Sequence, residues 1–365
     1  GKVTILRRCI SVGNLKNMNK YRMGIRKRGR TLLIVEGEHE KNQLFKLIFK
    51  CFSEIKIKMD DVWVYGTNIY LLYDDIVKEY GADWAKNGDD IDLPFVISRK
   101  LNDKKEINAE NKLCYKDDFT NIILVFDYER HDKKFSEEKI IQMQNIFKDA
   151  ADMGKLYINY PMIESYQHLC HLPDNNYYEY KISVKMQPGK VYKNLVKKET
   201  VIGEIVDFYH RLNDLLEQKF DINDEKIRER CIDEILNITE VNGLEEKIQN
   251  VLKNIIDAED LSTAKYQLAD WIKKKKYIFL CQTYWKYMRD IFKQIIRHNI
   301  LKACRIQQEE YEVSPELYKD NFEKVDLDKI LKIQNQSSRD IQNGYIWILN
   351  TCVFFIADYK FELIT

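Results

Sequence analysis

The residues best placed to do chemistry are acids that interrupt apolar runs. In TLLIVEGEHE (31–40) a β-rich stretch stops at Glu36 and Gly37, with Glu38 and Glu40 behind them. In NIILVFDYERHD (121–132) another stops at Asp127, followed by Glu129 and Asp132, and KLYINYPMIESY (155–166) runs into Glu164. Alternation places Asp127 and Glu129 on one side of an extended segment and Tyr128 on the other. Carboxylates gathered at one place repel and raise each other's pKa. A hard divalent cation resolves that conflict: Mg2+ takes oxygen ligands, commonly one or two carboxylates with waters and substrate phosphates, and Mn2+ accepts the same oxygen set. The plainer reading of Glu38 and Glu40 is the first turn of a helix, where negative charge complements the dipole. Recurrence of acids at three strand ends favours a site.

The elements that must position these acids follow from periodicity. After Glu36, the stretch EKNQLFKLIFKCF spaces Leu44, Phe45, Leu47, Ile48 and Phe52 as one face of a helix. DVWVYG reads as a second strand and 69–80 as its helix, while residues 81–118 are polar, contain Gly81, Gly88 and Pro94, and show no sustained period, as an insertion or long functional loop would. A strand ending at Asp127, a helix opening at Ser136 and closing at Gly154, and a fourth strand carrying Glu164 at its end complete the pattern. Strands alternating with helices predict an α/β fold with a mostly parallel sheet flanked by helices, whose chemistry sits at the carboxyl ends of the strands. From about residue 195 the pattern is long and amphipathic, and Pro188-Gly189 marks a junction. The expected organisation is a basic arm over 1–30, an α/β domain over 31–190 with an insertion at about 81–118, and a helical domain over 191–365. YIWILNTCVFFIADY (345–359) reads as a buried helix of that second domain.

Charge nearly cancels, 59 basic against 58 acidic residues, so its distribution matters more than its sum. Residues 1–30 hold ten Lys or Arg, Arg26 and Arg28 among them, and no acid. Such an arm either touches a phosphate backbone or is a solvated extension; it has no apolar core of a signal peptide. Residues 263–305 carry eleven Lys or Arg against two Asp, with Lys286, Arg289, Lys293 and Arg297 on one helical stripe. Interleaved Trp285, Tyr287 and Phe292 suit contact with nucleic acid, and the alternative is neutralisation by the acidic stretch 309–328. Four of the six histidines, His39, His131, His168 and His171, lie in or beside the acidic motifs, where an imidazole can serve as acid, base or phosphate contact, or as a structural core residue. The eight scattered cysteines fit reduced thiols in a cytoplasm, and no stretch has the length of a membrane-spanning helix.

A strand ending in Glu-Gly, then a helix, then a strand ending in an Asp-x-Asp-like pair resembles the Toprim (topoisomerase-primase) domain. LIVEGEHEKNQ is similar to its first motif and VFDYERHD to its second, with Glu129 where many members have Asp. The resemblance covers roughly residues 31–170 and is nearest to the small Toprim nucleases of bacterial phage-defence systems, the group of the AriB component of PARIS and of AbiLii, related to the overcoming-lysogenization-defect (OLD) nucleases. It implies a Toprim-like sheet in which Glu36, Asp127 and Glu129 bind Mg2+ or Mn2+ and run phosphodiester hydrolysis, with Glu164 as a further ligand. Asp132 or Glu40 could supply an oxygen instead, and Lys133, Lys134 or Arg130 would stabilise developing charge. It further implies a nucleic-acid substrate, RNA such as tRNA before DNA, a toxic role in anti-phage defence, an ABC-type ATPase sensor as partner, and helical surface for docking or for a homo-oligomer. Two other readings stand beside it: a housekeeping Toprim ribonuclease that trims structured RNA, and a non-catalytic Toprim scaffold that binds a partner protein.

Overall fold

A computed structural model describes residues 29–87, 90–103, 113–186 and 189–365. Nearly all of the expected basic arm, including Arg26 and Arg28, lies outside them, as does Pro188 of the expected junction. Five strands form the central sheet: β1 (Thr31–Val35), β2 (Val62–Val64), β3 (Asn121–Asp127), β4 (Lys148–Asp149) and β5 (Gly154–Asn159). Their order is β2-β1-β3-β5-β4, parallel throughout except for β4 at the edge. Every residue of β1, β3 and β5 is buried, which is why these strands read as unbroken apolar runs rather than alternating ones.

Helices return the chain between parallel strands. Ile69–Tyr80 follows β2 and is capped by the Asn68 side chain, which accepts from Leu71 N at 3.1 Å; Glu137–Ile146 follows β3 and is capped by Ser136, which accepts from Lys139 N at 3.3 Å. The expected α/β architecture with a mostly parallel sheet and a largely helical C-terminal region is therefore present.

Three expectations are corrected. The described residues of 81–103 pack on the core rather than looping out: Trp84 is fully buried between Tyr73 and Phe147, and a helix over Leu93–Asp103 buries Leu93 and Ile97. Most of the apolar residues here, Trp84, Ile91, Leu93, Val96 and Ile97 among them, are buried. The helix from Ser136 stops at Ile146 rather than at Gly154, because Phe147 turns into the core and Lys148–Asp149 folds back as β4 against β5. Gly154 serves a close approach at φ 135°, where a Cβ would lie 2.8 Å from Leu124 Cδ1. The segment 345–359 is not one helix. It supplies β7 (Tyr345–Trp347), antiparallel to β6 (Lys181–Ser183), then a bend, then a short helix over Phe354–Tyr359.

This C-terminal segment comes back onto the sheet, so the core is continuous across residue 190. Leu349 bridges to Tyr160, the Thr351 hydroxyl donates to Ile158 O at 2.7 Å, and Asp358 accepts from both Lys155 Nζ and the Tyr157 hydroxyl at 2.6 Å. The long helix Tyr284–Gln307 packs on the first crossover, with Phe292 edge-on to Phe52 at 6.2 Å. Among the described residues, no helix is long and apolar enough to cross a membrane.

The Lys155–Asp358 pair is almost fully buried, with side-chain exposures of 7% and 2%. Replacing Asp358 with Ala leaves an ammonium enclosed without its counter-charge and should cost about 3–5 kcal/mol of folding stability. Urea unfolding of the full chain measures it; a loss under about 1 kcal/mol would show that the C-terminal helix is not anchored through this pair.

Candidate metal centre

Sheet register brings the acids together. Val35 pairs with Val125 and Asp127 with Asn159, so the carboxyl ends of β1, β3 and β5 lie side by side. Glu36, one residue beyond β1, accepts the Asp127 N–H on Oε2 at 3.2 Å, while its own carbonyl is held by Gly66 N at 2.9 Å. One carboxylate oxygen from each of Glu36, Asp127 and Glu129 lies within 4.8 Å of the other two. Tyr128 points away, as expected, and its hydroxyl reaches Asn335 Oδ1 at 2.7 Å in the C-terminal helix Leu327–Ser337. Glu129 does not join by strand alternation, because β3 ends at Asp127. It sits at φ 49°, in the left-handed region, a conformation costing a non-glycine residue about 1 kcal/mol or more.

The remaining predicted acids take distinct places. Glu40 is buried and accepts the Gly37 N–H at 2.9 Å, pinning the turn that carries Glu36. Glu164 lies past the end of β5, on a short helical turn over Ile163–Gln167, where it meets Lys193 Nζ at 2.8 Å and His39 Nε2 at 3.8 Å. Asp132 is at the rim, caps Lys134 N at 2.6 Å, and adds its charge to Glu36 and Glu129.

Electrostatics follow from this crowding. Burial, then the Glu129 charge, push Glu36 up to about 8 against the opposing Asp127 N–H. Burial followed by the Glu36 and Glu40 charges raises Asp127 well above the ordinary carboxylate range, and burial also raises Glu40 and Glu129. Asp127 is 4% exposed and its Oδ1 has no hydrogen-bond partner, nor has Oε2 of Glu164 or Nδ2 of Asn159. A buried acceptor without a donor costs about 1–3 kcal/mol. An all-oxygen set with an orphaned Asp127 oxygen fits a hard divalent cation, so Glu36, Asp127 and Glu129 would hold Mg2+ or Mn2+.

The basic residues differ from expectation. Lys133 and Lys134 are exposed, while Arg130 turns away to Ser338 and covers the Phe135 ring at 4.3 Å. Among the described residues, a cation that faces the acids is Lys193, on the helix Lys190–Glu199. Burial works against its charge, but the Glu164 hydrogen bond and the Asp127 and Glu40 charges outweigh burial and raise its pKa. It lies far from either acidic motif, and its only trace in the sequence is an amphipathic stretch after Gly189. The stripe on Tyr284–Gln307 is also corrected. Arg289 forms a double hydrogen bond with Glu54 at 2.9 and 2.8 Å, Lys293 donates to Thr365 O, and Arg297 donates to Ile364 O, so only Lys286 of the four is exposed. These cations hold the C-terminus and the first crossover rather than forming an open basic face.

Comparison with family models, with curated proteins and with solved structures finds no match to this chain.

Raised carboxyl pKa values mean that the folded chain holds protons which the unfolded chain has lost. That contribution to stability is present below the ordinary carboxylate range and is lost as pH rises toward about 8. Without divalent ions, Tm should fall between about pH 5 and about pH 8, and Mg2+ or Mn2+ should raise it more at the upper end, because the ligands must be ionised. Differential scanning calorimetry of wild type and Asp127→Asn checks this; an equal metal response in both would contradict the assignment.

Proposed function

We propose that the chain is a metal-dependent phosphodiesterase of the Toprim nuclease kind, with RNA as the favoured substrate. The observation that carries this reading is the triad of Glu36, Asp127 and Glu129 at the carboxyl edge of a parallel sheet, with one buried Asp127 oxygen left without a donor. The order of motifs, Glu-Gly after the first strand and Asp-x-Glu after the third, supports the Toprim assignment.

A divalent ion held by Glu36, Asp127 and Glu129 would polarise a phosphate and lower the pKa of an attacking water. The protein's own part is positional. Asp127 is immobilised by β3 and β5, Glu36 by the Asp127 N–H, and Glu129 by the plugged Tyr128. Burial and the Glu129 charge raise Glu36 in the metal-free chain, and a divalent ion beside it would favour its ionised form, as a ligand or as the acceptor of the water's proton. Lys193 is placed to offset charge that develops on the phosphate. Exposed Lys133 and Lys134 would meet flanking phosphates of a polyanionic substrate, a contact weakened by salt.

On the same reading, the nuclease is a toxic effector of anti-phage defence, restrained or triggered by an ABC-type ATPase partner and working in the cytoplasm. The described cysteines are all free thiols, which suits a reducing compartment. A scaffold role without catalysis predicts the opposite outcome in the assay that follows.

Purified full chain with Mn2+ or Mg2+ should cleave tRNA or single-stranded DNA. Glu36→Gln and Asp127→Asn should each lower the rate by about 10^2-fold or more, and Lys193→Met by about 10-fold or more. Cleavage that survives EDTA, or equal rates for Glu36→Gln and wild type, would refute hydrolysis at this centre. Total absence of cleavage with intact metal binding would favour the scaffold.

A further inference from the structure

A second group of ligand atoms, beginning four residues after Glu164, is chemically unlike the first. His168, Cys170 and Glu199 each offer one atom, an imidazole nitrogen, a thiol sulfur and a carboxylate oxygen, all within 4.8 Å of one another. Atoms sharing one zinc ion sit about 3.3–3.6 Å apart, from bond lengths of about 2.0 Å to nitrogen and oxygen and about 2.3 Å to sulfur. Small side-chain rotations therefore close the shell.

We infer that His168, Cys170 and Glu199 form a binding site for a borderline transition ion, zinc first among them, separate from the acidic centre. Nitrogen, sulfur and oxygen donors together select zinc over Mg2+, which takes oxygen alone. The surroundings are built to hold the ligands in place. His168 is 2% exposed, its Nδ1 lies 3.0 Å from the Tyr192 hydroxyl, and its Nε2 faces Glu199 Oε2 at 2.7 Å. Metal-bound imidazoles commonly have their other nitrogen fixed by such a partner. Buried Asp174 fastens the Cys170 loop by accepting the N–H groups of Cys170 and His171 at 2.9 and 3.2 Å, and itself donates its N–H to His298 Nε2 at 2.8 Å.

In the metal-free chain a carboxylate can only accept, so Nε2 carries the imidazole proton and Nδ1 accepts from Tyr192. On zinc binding, the ring proton moves to Nδ1 and donates to the Tyr192 oxygen, the Cys170 thiol releases its proton to solvent, and no electrons are transferred. Three protein ligands leave a fourth position for water. Cys170 and Glu199 are partly exposed, which gives the ion a way in. The ion would tie the segment after β5, which carries Glu164, to the end of the helix that carries Lys193.

The test is zinc and cobalt binding to the full-length chain after chelator treatment, with Cys170→Ser, Glu199→Gln and Asp127→Asn as variants. Wild type and Asp127→Asn should each retain one tightly bound zinc that excess Mg2+ does not displace, and with cobalt both should show a thiolate-to-metal charge-transfer band. Cys170→Ser should lose the band and weaken zinc binding by about 10^2-fold, and Glu199→Gln by about 10-fold or more. Near-ultraviolet circular dichroism identifies a variant that fails to fold, and the Glu199→Gln arm, altered at a partly exposed residue, then decides. No zinc uptake by wild type, equal uptake by Cys170→Ser, or uptake lost only in Asp127→Asn would each overturn the assignment, and none of these results depends on nuclease activity.

Discussion

The structure depends on a repulsion built into its centre. Three carboxylates share a space a few ångströms across, enclosed enough that water screens them poorly, and their ionised forms cannot coexist there without a compensating positive charge. A fold selected for stability alone would place apolar or singly charged residues at these strand ends. Retaining the cluster costs stability at neutral pH, and the surrounding architecture reads as the means of tolerating it. Lys193 matches the charge of Glu164, and a cation of charge two at the triad would offset two of its three negative charges.

Everything beneath the cluster serves to keep those oxygens from moving apart. Doubly buried parallel strands fix the spacing of Glu36, Asp127 and the Asn159 level, and β-pairing registers leave no freedom to slip by a residue without turning Asp127 into the wrong layer. Behind the strand ends, the C-terminal segment closes the floor: Asn159 Oδ1 accepts Cys352 N at 3.2 Å, and Asn350 donates to Ile163 O at 3.0 Å. Residues separated by nearly two hundred positions thus form the support of one short turn. The helical half is therefore part of the scaffold of the acidic centre, and three cations of its basic stripe, Arg289, Lys293 and Arg297, hold the first crossover and the chain terminus.

Much of this is legible in the sequence. Unbroken apolar runs ending in acids identified β1, β3 and β5, and the spacing of Ile69 to Tyr80 identified a helix, because buried strands and amphipathic helices write strong periods. Glu36, Asp127 and Glu129 do converge. The failures share a cause: each turned on a tertiary contact that leaves no local pattern. Trp84 and Leu93 look isolated in a polar stretch yet are buried; Gly154 looks like a helix stop yet is a point of close strand packing; Lys193 belongs to no motif yet pairs with Glu164 beside the acids. Arg289, Lys293 and Arg297 formed a convincing stripe because helical spacing shows which residues share a face, but not what that face touches.

The most direct measurement of the central claim is anomalous diffraction from crystals of the full-length chain soaked in Mn2+. The account predicts a peak between the carboxylates of Glu36, Asp127 and Glu129, at bonding distance of about 2.0–2.2 Å from an oxygen of Asp127. A clean map with no peak there, and with Asp127 held as a neutral acid by hydrogen bonds to its neighbours, would contradict it.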